Sequence, residues 1–163
     1  MTLNLAGFSQ AKENEREDFN GTWVIDKGKS STDGKIFDNY FLVISFQDNK
    51  FKITKVFVSG KKAATYEITL VTDKSGEKNR YAGFDTMMER ISKTYWQKNT
   101  LVSEFKITPD NKKFKFGGTE RYYLSKDGKK LTVESVQTSP AVPLVVEDLL
   151  KSKLVFQRKE PKS

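Results

Sequence analysis

The chain has 163 residues, 31% of them charged and 12% aromatic, with 29 lysines and arginines against 21 aspartates and glutamates, a net charge of +8, and neither cysteine nor histidine. That length suits one domain with its own core. Without cysteine there is no disulfide, zinc–thiolate site or thiol nucleophile, and without histidine there is no Ser-His or Cys-His catalysis, histidine-bound metal or proximal-histidine haem.

Residues 1–17 read as a flexible tail: a short apolar piece from Leu3 to Phe8, then Ser9-Gln10-Ala11, then a charged run from Lys12 to Asp18. Ser9-Gln10-Ala11 would suit a signal peptidase, yet the apolar piece is interrupted and has no basic residue ahead of it. The tail is therefore either the remnant of an export signal, which would favour a periplasmic or secreted location over the cytoplasm, or an ordinary disordered segment. No run approaches the ~20 apolar residues of a membrane span.

From Phe19 onward the chain alternates apolar and polar residues in short segments separated by turn residues, with almost no helical period. The expected strands run from Phe19 to Asp26, Asn39 to Gln47, Lys50 to Val58, Ala63 to Val71, Lys78 to Gly83, Arg90 to Gln97, Thr100 to Ile107, Lys113 to Ser125, Lys130 to Thr138, and Lys153 to Arg158. Two-residue tips at Asp48-Asn49, Lys98-Asn99 and Asp127-Gly128 set which residues sit opposite one another. They pair Phe46 with Phe51, Ile44 with Ile53, Trp96 with Leu101, Leu124 with Leu131, and Tyr122 with Val133. A loop at Ser59 to Lys62 pairs Phe57 with Ala64. In every hairpin the more apolar members then share a face, so turn chemistry and hydrophobic pattern agree.

The short tips and Asp73 to Gly76 fall at the end where the first strand begins; the longer links, Lys27 to Asp38, Phe84 to Glu89 and Ser139 to Ser152, fall at the other. Ten strands bring the last back antiparallel beside the first. The expected fold is all-β: a single closed up-and-down antiparallel barrel over residues 18–160, without exposed edges. Pro140 to Pro143 breaks the sheet, and Leu144 to Lys151 is expected to form a short helical or irregular segment before the last strand.

Gly21-Thr22-Trp23 on the first strand, with Arg158 on the last placed to lie over the indole, resembles the calycin superfamily signature of lipocalins and fatty-acid-binding proteins. The layout is similar to bacterial lipocalin-like domains, with Thr119-Glu120-Arg121-Tyr122, Ser125 to Lys129 before Leu131-Thr132-Val133, and a closing Leu154-Val155-Phe156. The resemblance implies that Gly21, Trp23 and Arg158 close the barrel by packing and cation–π stacking. It also implies carriage of a small ligand. The chain departs from fatty-acid-binding proteins in its turn-rich Lys27 to Lys35, where they carry two helices, from haem-binding relatives in lacking histidine, and from familiar secreted lipocalins in lacking disulfides.

The expected inward face is graded. Near the short tips it carries Trp23, Phe46, Phe51, Leu70, Trp96 and Leu101, enough to plug that end. Towards the long links it carries the candidate cavity residues Tyr40, Lys55, Tyr66, Arg90, Thr94, Ser103, Glu120, Tyr122 and Ser135. A buried charge must be paired or wet, so Lys55, Arg90 and Glu120 either line a wet or ligand-filled space, or pair with one another, or are turned outward by a one-residue slip. Phe84, Met87 and Met88 are candidate rim residues, adaptable apolar side chains in a connection.

These features favour binding of a small amphipathic or anionic ligand inside the barrel, reached from the long-loop rim. The alternative is a non-catalytic interaction module with a filled barrel that meets a protein or polymer through loops or outer strand faces. Nucleic acid is a disfavoured partner, because the lysines alternate with apolar residues or sit at turn tips instead of forming one basic arm. Glu147 and Asp148 are neighbours expected to be exposed, and no phosphate loop, nucleotide fingerprint or metal cluster occurs. The chain reads as a monomeric non-enzyme with no cofactor and no metal site.

Overall fold

A computed structural model describes residues 16–33, 39–83, 86–111, 115–138 and 149–160. After one helical turn at Arg16 and Glu17 come β1 (Gly21–Ile25), a 3-10 turn (Lys27–Lys29) and β2 (Ser31–Thr32). Then follow β3 (Asn39–Gln47), β4 (Lys50–Ser59), β5 (Lys62–Val71), β6 (Glu77–Ala82) and β7 (Met87–Gln97). The chain finishes with β8 (Thr100–Pro109), β9 (Phe116–Leu124), β10 (Lys130–Thr138) and β11 (Leu149–Arg158).

Ten strands form one antiparallel sheet in the order β5-β4-β3-β1-β11-β10-β9-β8-β7-β6, rolled into a nearly closed barrel, with β2 added beside β11. The last strand does lie antiparallel to the first, with Trp23 opposite Arg158. Every hairpin register expected from the tips is present: Phe46 faces Phe51, Phe57 faces Ala64, Trp96 faces Leu101 and Leu124 faces Leu131. Asp48 and Asn49 both adopt left-handed backbone (φ 49° and 61°), as a tight two-residue hairpin requires.

Between β5 and β6 side chains take the place of a backbone ladder. The Asn79 amide mimics a peptide: its Oδ1 accepts from the Thr69 N–H at 2.7 Å and its Nδ2 donates to the Thr69 carbonyl at 2.9 Å. The Val71 N–H donates to Glu77 Oε2 at 3.1 Å. Tyr66 on β5 stacks on Tyr81 on β6, with centroids 4.7 Å apart. An edge that would otherwise expose unpaired peptide groups is thereby covered.

Several sequence expectations need correction. The first strand starts at Gly21, and Phe19 instead sits buried beneath the barrel with its carbonyl accepting the Trp23 indole N–H at 2.9 Å. Met87 and Met88 stand in β7, opposite Ala82 and Tyr81, because the turn closes tightly through Gly83 N–H to the Thr86 carbonyl; they are not in a connection. The last strand begins at Leu149, so Leu149–Lys151 are extended against β10 and not helical. The expected rim residue Phe84, the Pro140 to Pro143 break and the rest of the helical segment lie outside the described residues.

The core occupies the middle and lower barrel. Trp23, Phe51, Tyr122 and Phe156 are fully buried, with Leu42, Ile53, Ile68, Leu70, Leu101 and Leu131 filling the space between them. Each buried aliphatic side chain of this size contributes about 1.5–3 kcal/mol, which supplies the stability that disulfides give to other small barrels.

Candidate functional site

Above this core the inward alternation continues with polar residues. Lys55 on β4, Arg90 on β7 and Glu120 on β9 all point into the lumen, with exposures of 5%, 3% and 9%. β7 and β9 both flank β8, which sets Arg90 near Glu120, while β4 lies across the ring from β9, so closure of the barrel is what brings Lys55 to them. Arg90 Nη2 meets Glu120 Oε2 at 2.8 Å, and Lys55 Nζ meets Glu120 Oε1 at 3.3 Å. The Tyr122 hydroxyl donates to Glu120 Oε2 at 2.8 Å. The charges are not turned outward by a register slip; they face inward and pair with one another.

A layer of hydroxyls supports the arginine. Arg90 donates from Nε to Ser92 Oγ and from Nη2 to Ser103 Oγ, each at 3.2 Å. Thr94 Oγ1 lies 3.1 Å from Ser103 Oγ and 3.3 Å from Glu77 Oε1, so the network runs from the charged layer to the β5–β6 join. Burial alone would raise the pKa of Glu120. The Arg90 guanidinium and the Lys55 ammonium outweigh it, with hydrogen bonds from Arg90 and Tyr122, and hold the carboxyl well below its usual range. Burial pushes the Tyr40, Tyr66 and Tyr122 phenols up, so all three stay neutral donors.

The upper wall is aromatic. Tyr40 stacks on Phe57 at 4.3 Å, Phe57 on Tyr66 at 5.4 Å, and Tyr66 on Tyr81 at 4.7 Å, a ladder of rings crossing β3, β4, β5 and β6. Lys55 Nζ stands 5.9 Å from the Tyr66 ring centre, and the Arg90 guanidinium carbon 4.1 Å from that of Phe105. Phe57, Tyr66 and Tyr81 face inward yet stay only partly covered, whereas Leu42, Ile53, Ile68 and Leu70 below them are sealed.

The structure thus brings together Lys55, Tyr66, Arg90, Thr94, Ser103, Glu120 and Tyr122. Tyr40 reaches the layer through the ring ladder, and Ser135 turns instead to Ser152, their hydroxyls 2.7 Å apart. Sequence reading missed Tyr81, Glu77 and Asn79. Alternation within β6 puts all three on one face, but only the missing β5–β6 ladder gives that face its purpose.

Closure residues gather at the lower end. The Arg158 guanidinium carbon lies 4.3 Å over Trp23, and its nitrogens donate to the carbonyls of Asp18, Asn20 (2.8 Å) and Gly128 (3.3 Å). Gly21 has φ +134°, and a Cβ there would stand 3.1 Å from Arg158 Nη1. The glycine therefore makes room for the guanidinium. Beneath, a groove of about 860 Å³ is lined by Arg16, Phe19, Trp96, Lys98, Leu124 and Lys126 among others. None of the buried charges lines this groove, so the lumen layer carries the functional reading.

No protein-family model and no curated protein matches the sequence. Among solved structures, the chain is similar to a REP1-NXSQ fatty acid transporter, with a TM-score of 0.50 and 9% identity over 89% of this chain and 98% of that one. The likeness is one of fold. The nearly closed antiparallel barrel, with Trp23 and Arg158 joined at its base, fits a calycin-like fold.

Proposed function

We propose that the chain is a non-catalytic, monomeric barrel of the bacterial lipocalin-like kind that binds a small amphipathic or anionic ligand in its upper lumen, reached from the long-loop rim. One observation carries this reading: two cations and one anion are buried in a barrel where Phe57, Tyr66 and Tyr81 beside them remain partly uncovered. Burying three charges costs several kcal/mol per ion before pairing, a poor arrangement for a barrel that needs only a core. A ligand that meets the surplus positive charge would account for it. The likeness in fold to a fatty acid transporter supports a ligand-binding role.

The competing interaction-module reading calls for a contiguous apolar outer patch. Val43, Ile91 and Val136 are exposed, but each sits beside polar partners on neighbouring strands: Thr22 and Thr54, Lys78 and Lys106, Thr119 and Lys151. Native mass spectrometry of freshly purified protein, followed by denaturing extraction, tests the choice. A retained small-molecule mass lost on Arg90→Met is expected; a clean apo mass together with no binding from a metabolite library would reject the carrier reading.

A further inference from the structure

The groove at the closed end, about 860 Å³, has the size of a small-molecule site. Three separate stretches line it: the segment leading into β1 with Arg16 and Phe19, the β7–β8 hairpin with Trp96 and Lys98, and the β9–β10 hairpin with Leu124 and Lys126. Trp96 and Leu124 are half-buried and Phe19 is buried, so the apolar part of the lining is recessed. Gly128 borders the same space, and a Cβ there would meet nothing within 4 Å.

The cations of this groove are unspent. Arg16, Lys98 and Lys126 make no ion pair among the described residues, and Asp18 is the acidic residue that lines the groove with them. Three cations against one anion leave the lining two positive charges in excess. The Arg16 guanidinium carbon stands 4.9 Å from the centre of the Trp96 ring, and no hydrogen bond from that guanidinium occurs among the described residues. Trp96 itself carries an indole N–H that is buried and has no partner among the described residues. Donors thus outnumber acceptors at this end of the barrel.

A recessed apolar floor between unpaired cations discriminates among anionic partners. A membrane surface is met by apolar side chains that stand out from a basic face. Here the hairpin tips are polar, Lys98-Asn99 and Ser125 to Gly128, and the apolar residues are half-buried or buried between them. A nucleic-acid track calls for basic residues continued along the surface, whereas the tips of this end also carry Asp48, Asp73 and Asp127.

We infer that this groove is a second binding site, for a compact amphipathic anion: its apolar body lies against Trp96 and Leu124, and its sulfonate, carboxylate or phosphate group is met by Arg16, Lys98 and Lys126. Cations from three stretches of chain offer one anionic group charge-assisted contacts. The recessed side chains take the part of the ligand that avoids water. The site shares no residue with the Lys55, Arg90 and Glu120 layer, so it stands apart from the lumen reading.

Fluorescence titration of the full chain with 1-anilinonaphthalene-8-sulfonate tests this, with N-phenyl-1-naphthylamine as the same body without the anionic group. The sulfonate is expected to saturate and to bind at least about tenfold more tightly than the amine. Lys98→Glu combined with Lys126→Glu, at two exposed positions, should weaken the sulfonate at least about tenfold and leave the amine unchanged. Lys93→Glu combined with Lys106→Glu makes the same change in net charge at exposed positions of β7 and β8 that do not line the groove, and should shift the sulfonate less than about twofold. Circular dichroism checks that both double variants keep the fold. Absence of saturable binding, equal affinity for the two probes, or an equal loss in both double variants would overturn the inference and leave the lumen reading as it stands. So would a Lys98→Glu, Lys126→Glu protein that kept its dye affinity but lost retention on phosphatidylglycerol vesicles, since the basic end would then be a membrane contact.

Discussion

Arg158 and Trp23 are cross-strand partners at the seam between the last strand and the first, and the guanidinium carbon lies 4.3 Å over the indole. The same guanidinium ties the Asp18–Asn20 segment to Gly128, two separate stretches of the closed end. Arg158→Ala is expected to cost about 2–4 kcal/mol, combining a ring contact of ~0.5–2 kcal/mol with charge-assisted bonds discounted for their partial exposure. Arg158→Lys keeps the charge but loses the planar fork and should recover less than half of that. Urea unfolding followed by tryptophan fluorescence measures both; a loss below about 1 kcal/mol for the alanine variant would refute the role.

Glu120 is the anion shared by two buried cations, so removing its charge is worse than removing all three. Glu120→Gln should destabilise by about 3–5 kcal/mol, because Lys55 and Arg90 are left buried without a counter-charge. The triple replacement Lys55→Met, Arg90→Met, Glu120→Leu should fold with near wild-type stability while losing lumen binding. Thermal denaturation of the two proteins side by side distinguishes a functional charged layer from one that the fold depends on.

The carboxyl of Glu120 also predicts the acid limb of stability. Its folded pKa is depressed below the ordinary 4.5, so it contributes stability that is fully present above that value and is lost as pH falls towards the folded pKa. Each unit of depression is worth ~1.4 kcal/mol. Wild type should thus lose stability progressively below about pH 4.5, and Glu120→Gln, though weaker at pH 7, should show a flatter profile across the same window.

Asn79 substitutes for a stretch of backbone. Asn79→Ala would leave the Thr69 N–H and carbonyl without partners, at a cost of about 1–3 kcal/mol. Amide exchange at Thr69 and Val71 should accelerate in the variant while exchange in β8, β9 and β10 stays slow. Uniform acceleration over all strands would mean that the join has no separate mobility.

Gly118 on β9 stands opposite Gln137 on β10, and a Cβ there would collide with the Val136 carbonyl oxygen and fall 2.7 Å from Gln137 Cα. Backbone cannot move that far without breaking the β9–β10 ladder. Gly118→Ala is expected to cost more than about 3 kcal/mol or to prevent folding, read by circular dichroism and soluble yield.

Much of the barrel was legible in the sequence because two-residue tips leave no freedom of register. Once Asp48-Asn49, Lys98-Asn99 and Asp127-Gly128 are turns, alternation alone turns Lys55, Arg90 and Glu120 to the inside. That they would meet as one triad depends on closure, which ten alternating strands imply. β2 was not legible, since two polar residues, Ser31 and Thr32, have no period and are held only by pairing with Ser152 and Lys153. Met87 and Met88 misled because methionine is a poor strand marker and the β6–β7 link is shorter than its composition suggests. The join at Asn79 was hidden as well: in sequence it is an ordinary polar residue in a short strand, and strand counting assumes every neighbour pairs through its peptides.

That join has a consequence for the bore of the barrel. Elsewhere the circumference is set by ladders that must break to change it, whereas between β5 and β6 it is set by Asn79, Glu77 and two stacked tyrosines that can rotate and re-form. Glu77 also meets Thr94, which meets Ser103 beneath Arg90. The spacing of β5 and β6 is therefore tied, through Glu77, Thr94 and Ser103, to the Arg90–Glu120 pair.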